Sequence, residues 1–311
     1  MSHYVNPAIG YTNSTGKTYF DQNGVLQTAA ANVWPDEYDP ATHAYLGKNI
    51  EQSSTNLLTY SQDFSNAAWG TSSHFSITAV DGPQGSGTAQ LLTATSSGSW
   101  TIAQGFTAPS GTQEYTQTFI VKYGNHLVLQ FLFYNFTTST GLNGATLTFN
   151  SNGTVSSFTD TLGTGGYKVL PNGWVKCWFS QTTGISAGNT IGIYGSSTGQ
   201  PFVTGDTLYL ATAQVEQGTF PTPYIYTTSA AVTRAIDQAT FLPGLINLSQ
   251  GSFVASGMVP SFNYPVTEYP AILTTESIES LMFFEGGLGI TSCKLKGWNG
   301  STNTYITPNS V

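Results

Sequence analysis

Charge is what this chain most lacks. Only 8% of its 311 residues are Asp, Glu, Lys or Arg, where roughly 25% is ordinary. Its polar surface must therefore be built from Ser, Thr, Asn, Gln and Gly, which bond water without titrating, and Thr also suits a pleated sheet surface. Disorder is not implied, because disordered chains are poor in aromatics and this one is 13% aromatic. Basic residues are scarcest: 8 Lys and Arg stand against 16 Asp and Glu, giving a net charge of −8 and a pI near 4.7. They form no stripe, so the phosphate contacts that nucleic-acid binding requires are not expected, nor is an anionic membrane surface. No run approaches the ~20 consecutive apolar residues of a membrane span. The start, MSHYVNPAIG, lacks the basic-then-apolar order of a signal peptide. Cysteine is limited to Cys177 and Cys293, read as two buried thiols, with a disulfide between them as the alternative.

Helical periodicity is nearly absent too. What is present is strand-like alternation broken by turn dipeptides. Asn23-Gly24, Asn152-Gly153 and Asn172-Gly173 each follow the Asn-Gly pattern of a type I′ hairpin turn. Repeated hairpin signals between short alternating runs predict an all-β fold, a jelly-roll β-sandwich. The length exceeds one ordinary core, and three parts are expected. Residues 1–52 form an N-terminal β-arm for docking or anchoring, 53–226 the jelly roll, and 227–311 a short C-terminal β segment. In HLVLQFLFYNF (126–136) both alternating faces are apolar, so this strand is placed centrally with cover on both sides. In WVKCWF (174–179), Val175, Cys177 and Phe179 are assigned to the core.

Local chemistry is sparse. The tight acidic cluster Asp36, Glu37 and Asp39, in WPDEYDP, reads as a solvated, proline-bounded turn. A Ca²⁺ site is its sharper reading, since hard oxygen ligands suit that ion, although the spacing matches no EF-hand loop. His3, His43, His74 and His126 stand in no zinc-binding spacing, and no nucleophile elbow or phosphate-cradling loop occurs. No other metal and no cofactor is expected, and the chain is read as non-enzymatic.

Three stretches carry a resemblance: TYFDQNGVLQTAAANVWPDEYDPATHAYLGKNIEQSSTNLLTYSQDFSNAAW (18–69), PNGWVKCWFS (171–180) and LYLATAQVEQGTFPTPYIYTTSAAVTRAID (208–237). Together they resemble a group of phage virion proteins with a carbohydrate-binding-module-like jelly roll, often followed by a laminin-G or concanavalin-like sandwich. In the last motif Ala211, Ala213 and Val215 are expected to point inward, and Pro221 and Pro223 to end pairing. Too few residues follow for a full second sandwich, so lectin activity is not carried over to the C-terminal segment.

The resemblance implies a structural protein of the virion, such as a capsid fibre, decoration protein or tail fibre, made in the host cytoplasm. A glycan-degrading tail depolymerase is the alternative. Expected partners are other copies of the chain, with a trimer favoured, other capsid or tail proteins, and host polysaccharide. Trp100, Tyr123, Tyr134 and Trp178 are the candidate glycan contacts, because a flat ring stacks on the apolar face of a sugar. Trp174 reads as architectural.

Overall fold

The computed structural model describes residues 9–70, 74–99, 101–109, 114–187, 190–196 and 200–241, and four strands between 271 and 306. The chain divides into two compact units, residues 1–245 and 246–311. Apart from one 3₁₀ turn at Pro171–Gly173, every regular element among the described residues is a strand, and no described helix is long and apolar enough to cross a membrane.

The first unit opens with β1 (Ile9–Thr12), β2 (Lys17–Phe20), β3 (Leu26–Ala29), β4 (Asp36–Tyr38), β5 (Tyr45–Lys48) and β6 (Ser54–Asn56). Strands β2/β3 and β4/β5 form hairpins. Then come β7 (Phe75–Gly82), β8 (Gly85–Ala94), β9 (Thr101–Thr107), β10 (Tyr115–Tyr123), β11 (Val128–Asn135) and β12 (Thr140–Phe149). They continue as β13 (Val155–Asp160), β14 (Gly166–Val169), β15 (Trp174–Gln181), β16 (Thr190–Ser196) and β17 (Thr207–Gln217). Finally β18 (Val232–Arg234) pairs with β6, and β19 (Gln238–Phe241) with β1.

One sheet has the order β14-β15-β10-β17-β8-β7, the other β13-β12-β11-β16-β9. Within them, β8-β17-β10-β15 faces β9-β16-β11-β12, so, apart from the β11/β12 hairpin, successive strands of these eight cross between sheets as the double Greek key of a jelly roll requires. The all-β sandwich expected from the alternating pattern is therefore the fold of this unit. The second unit contributes one antiparallel sheet, β20 (Ala271–Leu273), β21 (Ser280–Glu285), β22 (Ser292–Trp298) and β23 (Asn303–Ile306), in that order. LINLSQGSFVASGMVP (245–260) lies outside the described residues, as do the side chains of Leu281–Phe284 and Cys293.

The main core lies between the two sheets. Leu129, Phe131 and Phe133 of β11 meet Phe119 and Val121 of β10, and Val175, Cys177 and Phe179 of β15. Phe119 stacks on Phe131 with centroids 4.9 Å apart, and Phe133 meets Phe179 edge-on at 5.4 Å. Burying each such side chain contributes roughly 1.5–3 kcal/mol. Cys177 sits inward as a free thiol, with Sγ against the Phe119 carbonyl.

Four local expectations need correction. Strand β11 is central in its sheet, but its second face, with Val128, Leu132 and Tyr134, is only half-buried, and Phe136 is exposed. Ala211 turns away from the main core, because the register with β10 shifts between Ile120 (opposite Thr212) and Val121 (opposite Leu210). That bulge leaves Ala211 as the extra residue. Of the three Asn-Gly pairs expected to form hairpin turns, only Asn172-Gly173 has both residues at positive φ (58° and 78°). At the other two the glycine alone is positive, and five-residue loops separate the paired Phe20 and Leu26, and Phe149 and Val155. Finally, the centre of WPDEYDP, Asp36–Tyr38, is strand rather than solvated turn, because β4 pairs with β5.

Candidate functional site

Part of the outer face of the six-stranded sheet is covered by the N-terminal arm. Phe20 and Leu26 of the β2/β3 hairpin pack on Trp174, Ile120, Ala211 and Ala89, a small second core. Beside it lies a polar seam. It gathers Lys17 of β2, Glu37 of β4, Glu51, Lys176 of β15, Glu216 of β17, Arg234 of β18, and Asp237, in a chain where charge is rare.

Asp237 anchors the seam. Its Oδ2 accepts from Lys17 Nζ at 2.6 Å and from the Glu51 backbone N–H at 2.9 Å. Its Oδ1 accepts from the Tyr11 hydroxyl at 2.7 Å and from the Asn13 amide. Burial pushes this carboxyl's pKa up, but the bonds from Lys17, Tyr11 and Asn13 outweigh it and hold the pKa below its ordinary value. Lys17 Nζ also donates to the Asn49 carbonyl. Arg234 donates to the Gln52 carbonyl at 2.8 Å and the Pro223 carbonyl at 3.2 Å, and lies 3.6 Å from Glu51. Glu216 is fully buried and accepts from Ser54, from Gln214, and from both the hydroxyl and the N–H of Thr222. Lys176 donates weakly to the Thr222 carbonyl at 3.4 Å. Burial of its ammonium lowers its pKa, which the Glu216 charge opposes.

These partners leave Glu37 over. Its Oε1 accepts from the Phe20 N–H at 3.2 Å, while Oε2 is buried with no hydrogen-bond partner. Burial is the largest cause raising its pKa to about 7, and the Glu51 charge adds to it. Burial likewise raises the Glu51 pKa, which Arg234 opposes.

The proposed calcium ligands are not brought together. Asp36 binds Lys48 at 3.1 Å and the Tyr45 hydroxyl at 3.1 Å, Asp39 binds Lys168 at 2.7 Å, and Glu37 turns into the seam. Alternation along β4 sends neighbouring carboxylates to opposite faces. Among the described residues no group of three or more His, Cys, Asp or Glu could hold a metal ion.

The candidate glycan contacts are dispersed as well. Tyr123 packs against Phe149 at 5.7 Å under the Gly153 loop. Tyr134 is half-buried on the outer face of β11, with Phe136 edge-on at 5.2 Å. Trp178 is half-buried on the opposite sheet, and its ring lies across Gly166, where a Cβ would come within 2.8 Å. Trp100 lies outside the described residues. Trp174 is architectural, buried in the second core. The sequence reading did not find the seam, since no spacing rule links residues 17, 37, 51, 176, 216, 234 and 237. The one signal was that so few charges exist at all.

No family model matches the chain, and no curated protein matches it. Among solved structures it is similar to the enzymatically active domain of tailspike protein 4 from bacteriophage CBA120, at 10% identity and a TM-score of 0.32, over 52% of this chain and 21% of that one. It is also similar to the arabinose-bound α-L-arabinofuranosidase MgGH51, at 12% identity and a TM-score of 0.30, over 53% and 25%. The chain thus spans a quarter or less of either protein. The expectation of a non-enzymatic chain is corrected here, because both of these structures are named as enzymes. Likeness this distant brings no activity or substrate with it.

Proposed function

We propose that the chain is a component of a bacteriophage particle that works at host-surface glycans. One observation carries this reading: the three stretches that resemble phage virion proteins converge on one side of the jelly roll. Residues from 18–69, 171–180 and 208–237 meet across the second core and the seam, as in Leu26 against Trp174 and Ala211, and Asn56 on the Ala213 and Ile225 carbonyls. The resembling residues are therefore those that build the architecture. Trp178 and Tyr134, each half-buried on an outer sheet face, are the proposed sugar contacts. A stacked ring and neighbouring hydroxyl-bonding groups are the usual means of holding a sugar. Host polysaccharide should bind the wild-type protein, and W178A or Y134A should weaken binding at least about tenfold, the effect of losing ~1.4 kcal/mol. No binding at millimolar sugar would remove the glycan reading, and absence of the chain from purified virions by mass spectrometry would remove the particle reading. The proposal includes assembly into a homo-oligomer, with three-fold symmetry favoured, docked on other capsid or tail proteins. Light scattering on the isolated protein gives its mass, and a strict monomer would defeat that part.

A depolymerase is the second reading, and one observation favours it. Burial raises the pKa of Glu37 and the Glu51 charge adds to it, the condition of the general acid in glycoside hydrolysis. Release of new reducing ends from host polysaccharide, lost in E37Q and E51Q, is the expected result. No release by the wild type would end this reading.

A further inference from the structure

We propose that the β4/β5 hairpin is a strap whose seating on the jelly roll requires a protonated Glu37 carboxyl, so that the strap is held in mild acid and loosens towards neutral pH. This stands on the seam's geometry and is independent of the glycan reading. Each other buried anion in the seam has its counter-charge: Asp237 has Lys17 at 2.6 Å, Glu51 has Arg234 at 3.6 Å, and Glu216 has the charge of Lys176 beside four donated hydrogen bonds. Glu37 has one backbone donor and a buried, unpartnered Oε2. The charged groups that act on it are Lys17 of β2, Lys176 of β15, and Glu51 just after β5. Lys17 is paired with Asp237 at 2.6 Å, Lys176 donates to the Thr222 carbonyl and acts more strongly on Glu216 and Glu51 than on Glu37, and Glu51 repels a second negative charge. Ionised, Glu37 would be a part-buried anion without a partner of its own, a costly state. As an acid it is neutral and tolerated.

The hairpin is the piece able to yield. Beyond the seam, its ionic tether to the sandwich among the described residues is Asp39 to Lys168 at 2.7 Å, with the lysine part-exposed. Exposed pairs of this kind hold weakly. Burial raises the Glu37 pKa to about 7 when the strap is seated. A free Glu titrates near ~4.3. The seated state therefore binds the proton more tightly, and seating weakens as pH climbs between these values, then levels off.

Hydrogen exchange by mass spectrometry on the full chain, corrected for the intrinsic rate, tests this at pH 5.0 and 7.5. Peptides covering residues 33–50 should lose protection by at least about tenfold at the higher pH, the factor from one unit of differential proton binding. Glu37→Gln, a neutral isostere of the acid, should abolish the step. Asp39→Asn, which releases the Lys168 tether, should lower protection at both pH values and keep the step. Equal wild-type protection at the two pH values overturns the proposal. So does an E37Q step as large as that of the wild type, or a D39N protein without one. These outcomes involve no glycan, so they are separable from failure of the functional reading.

Discussion

Between its two sheets the jelly roll is dry. Between the six-stranded sheet and the arm it is charged. The first layer rests on Phe133, Leu147, Phe179 and neighbours that exclude water, and its strength grows with apolar area and depends little on pH. The second rests on Lys17–Asp237, Arg234–Glu51 and the donors around Glu216. A buried ion pair of that kind adds little over an apolar one, yet breaking it is costly, because the surviving charge is stranded. The difference shows that the arm, seated on a small apolar core of its own, is positioned by matching partners, whereas the sandwich is held by bulk burial.

The comparison can be broken first in the dry layer. Cys177→Asp should destabilise the protein by about 5 kcal/mol or more, since it places a carboxylate among Val175, Phe179 and Phe119. Burial already pushes the native thiol's pKa far up. Thermal denaturation decides this, and an unchanged midpoint would mean that this face of β15 is not core. In the charged layer, Lys17→Met strands Asp237 and should cost about 3–5 kcal/mol. Adding Asp237→Leu should recover a large share, measured by urea denaturation. A double variant as weak as the single one would show that the seam is not governed by pairing.

A smaller effect sharpens the contrast through pH. The raised Glu37 pKa contributes stability that is fully present below the ordinary carboxylate value and is lost as pH rises to about 7. Stability should therefore fall by about 2 kcal/mol between pH ~4.5 and 7, allowing for partial exposure. Asp237 acts oppositely: its pKa is lowered, so its contribution is lost only as pH falls below the ordinary carboxylate range. Urea midpoints for the wild type and E37Q should converge near pH 4.5 and separate near pH 7. Parallel curves would count against Glu37 as the source. Smallest of all, Gly173→Ala should cost about 1–2 kcal/mol through backbone strain alone. Its φ is 78°, and an added Cβ would meet nothing nearer than Lys122 Cε at 3.7 Å. A thermal shift beyond a few degrees would reveal a contact role for this turn.

Local physics explains which features the sequence alone determined. Strand alternation has a period of two, so Val175, Cys177 and Phe179 could be assigned to one face without knowing what lay opposite. The chain's Asn-Gly pairs, Gly content and β-branched residues made a sheet protein with tight turns unavoidable. Asn172-Gly173 adopted the dihedrals its chemistry favours. Only the tertiary structure decided the rest. Ala211 left its expected face because a bulge opposite Ile120 and Val121 shifted the register, and no local pattern encodes a partner strand's spacing. Trp174 and Lys176 face away from the main core as alternation requires, yet what covers them is an arm more than a hundred residues earlier in the chain. The seam is the clearest case. Glu37 reads as one acid in a solvated cluster until folding sets it beside Lys17, Glu51 and Lys176. Electrostatic energy depends on distance in space and on lost water, and neither quantity is written in the order of residues.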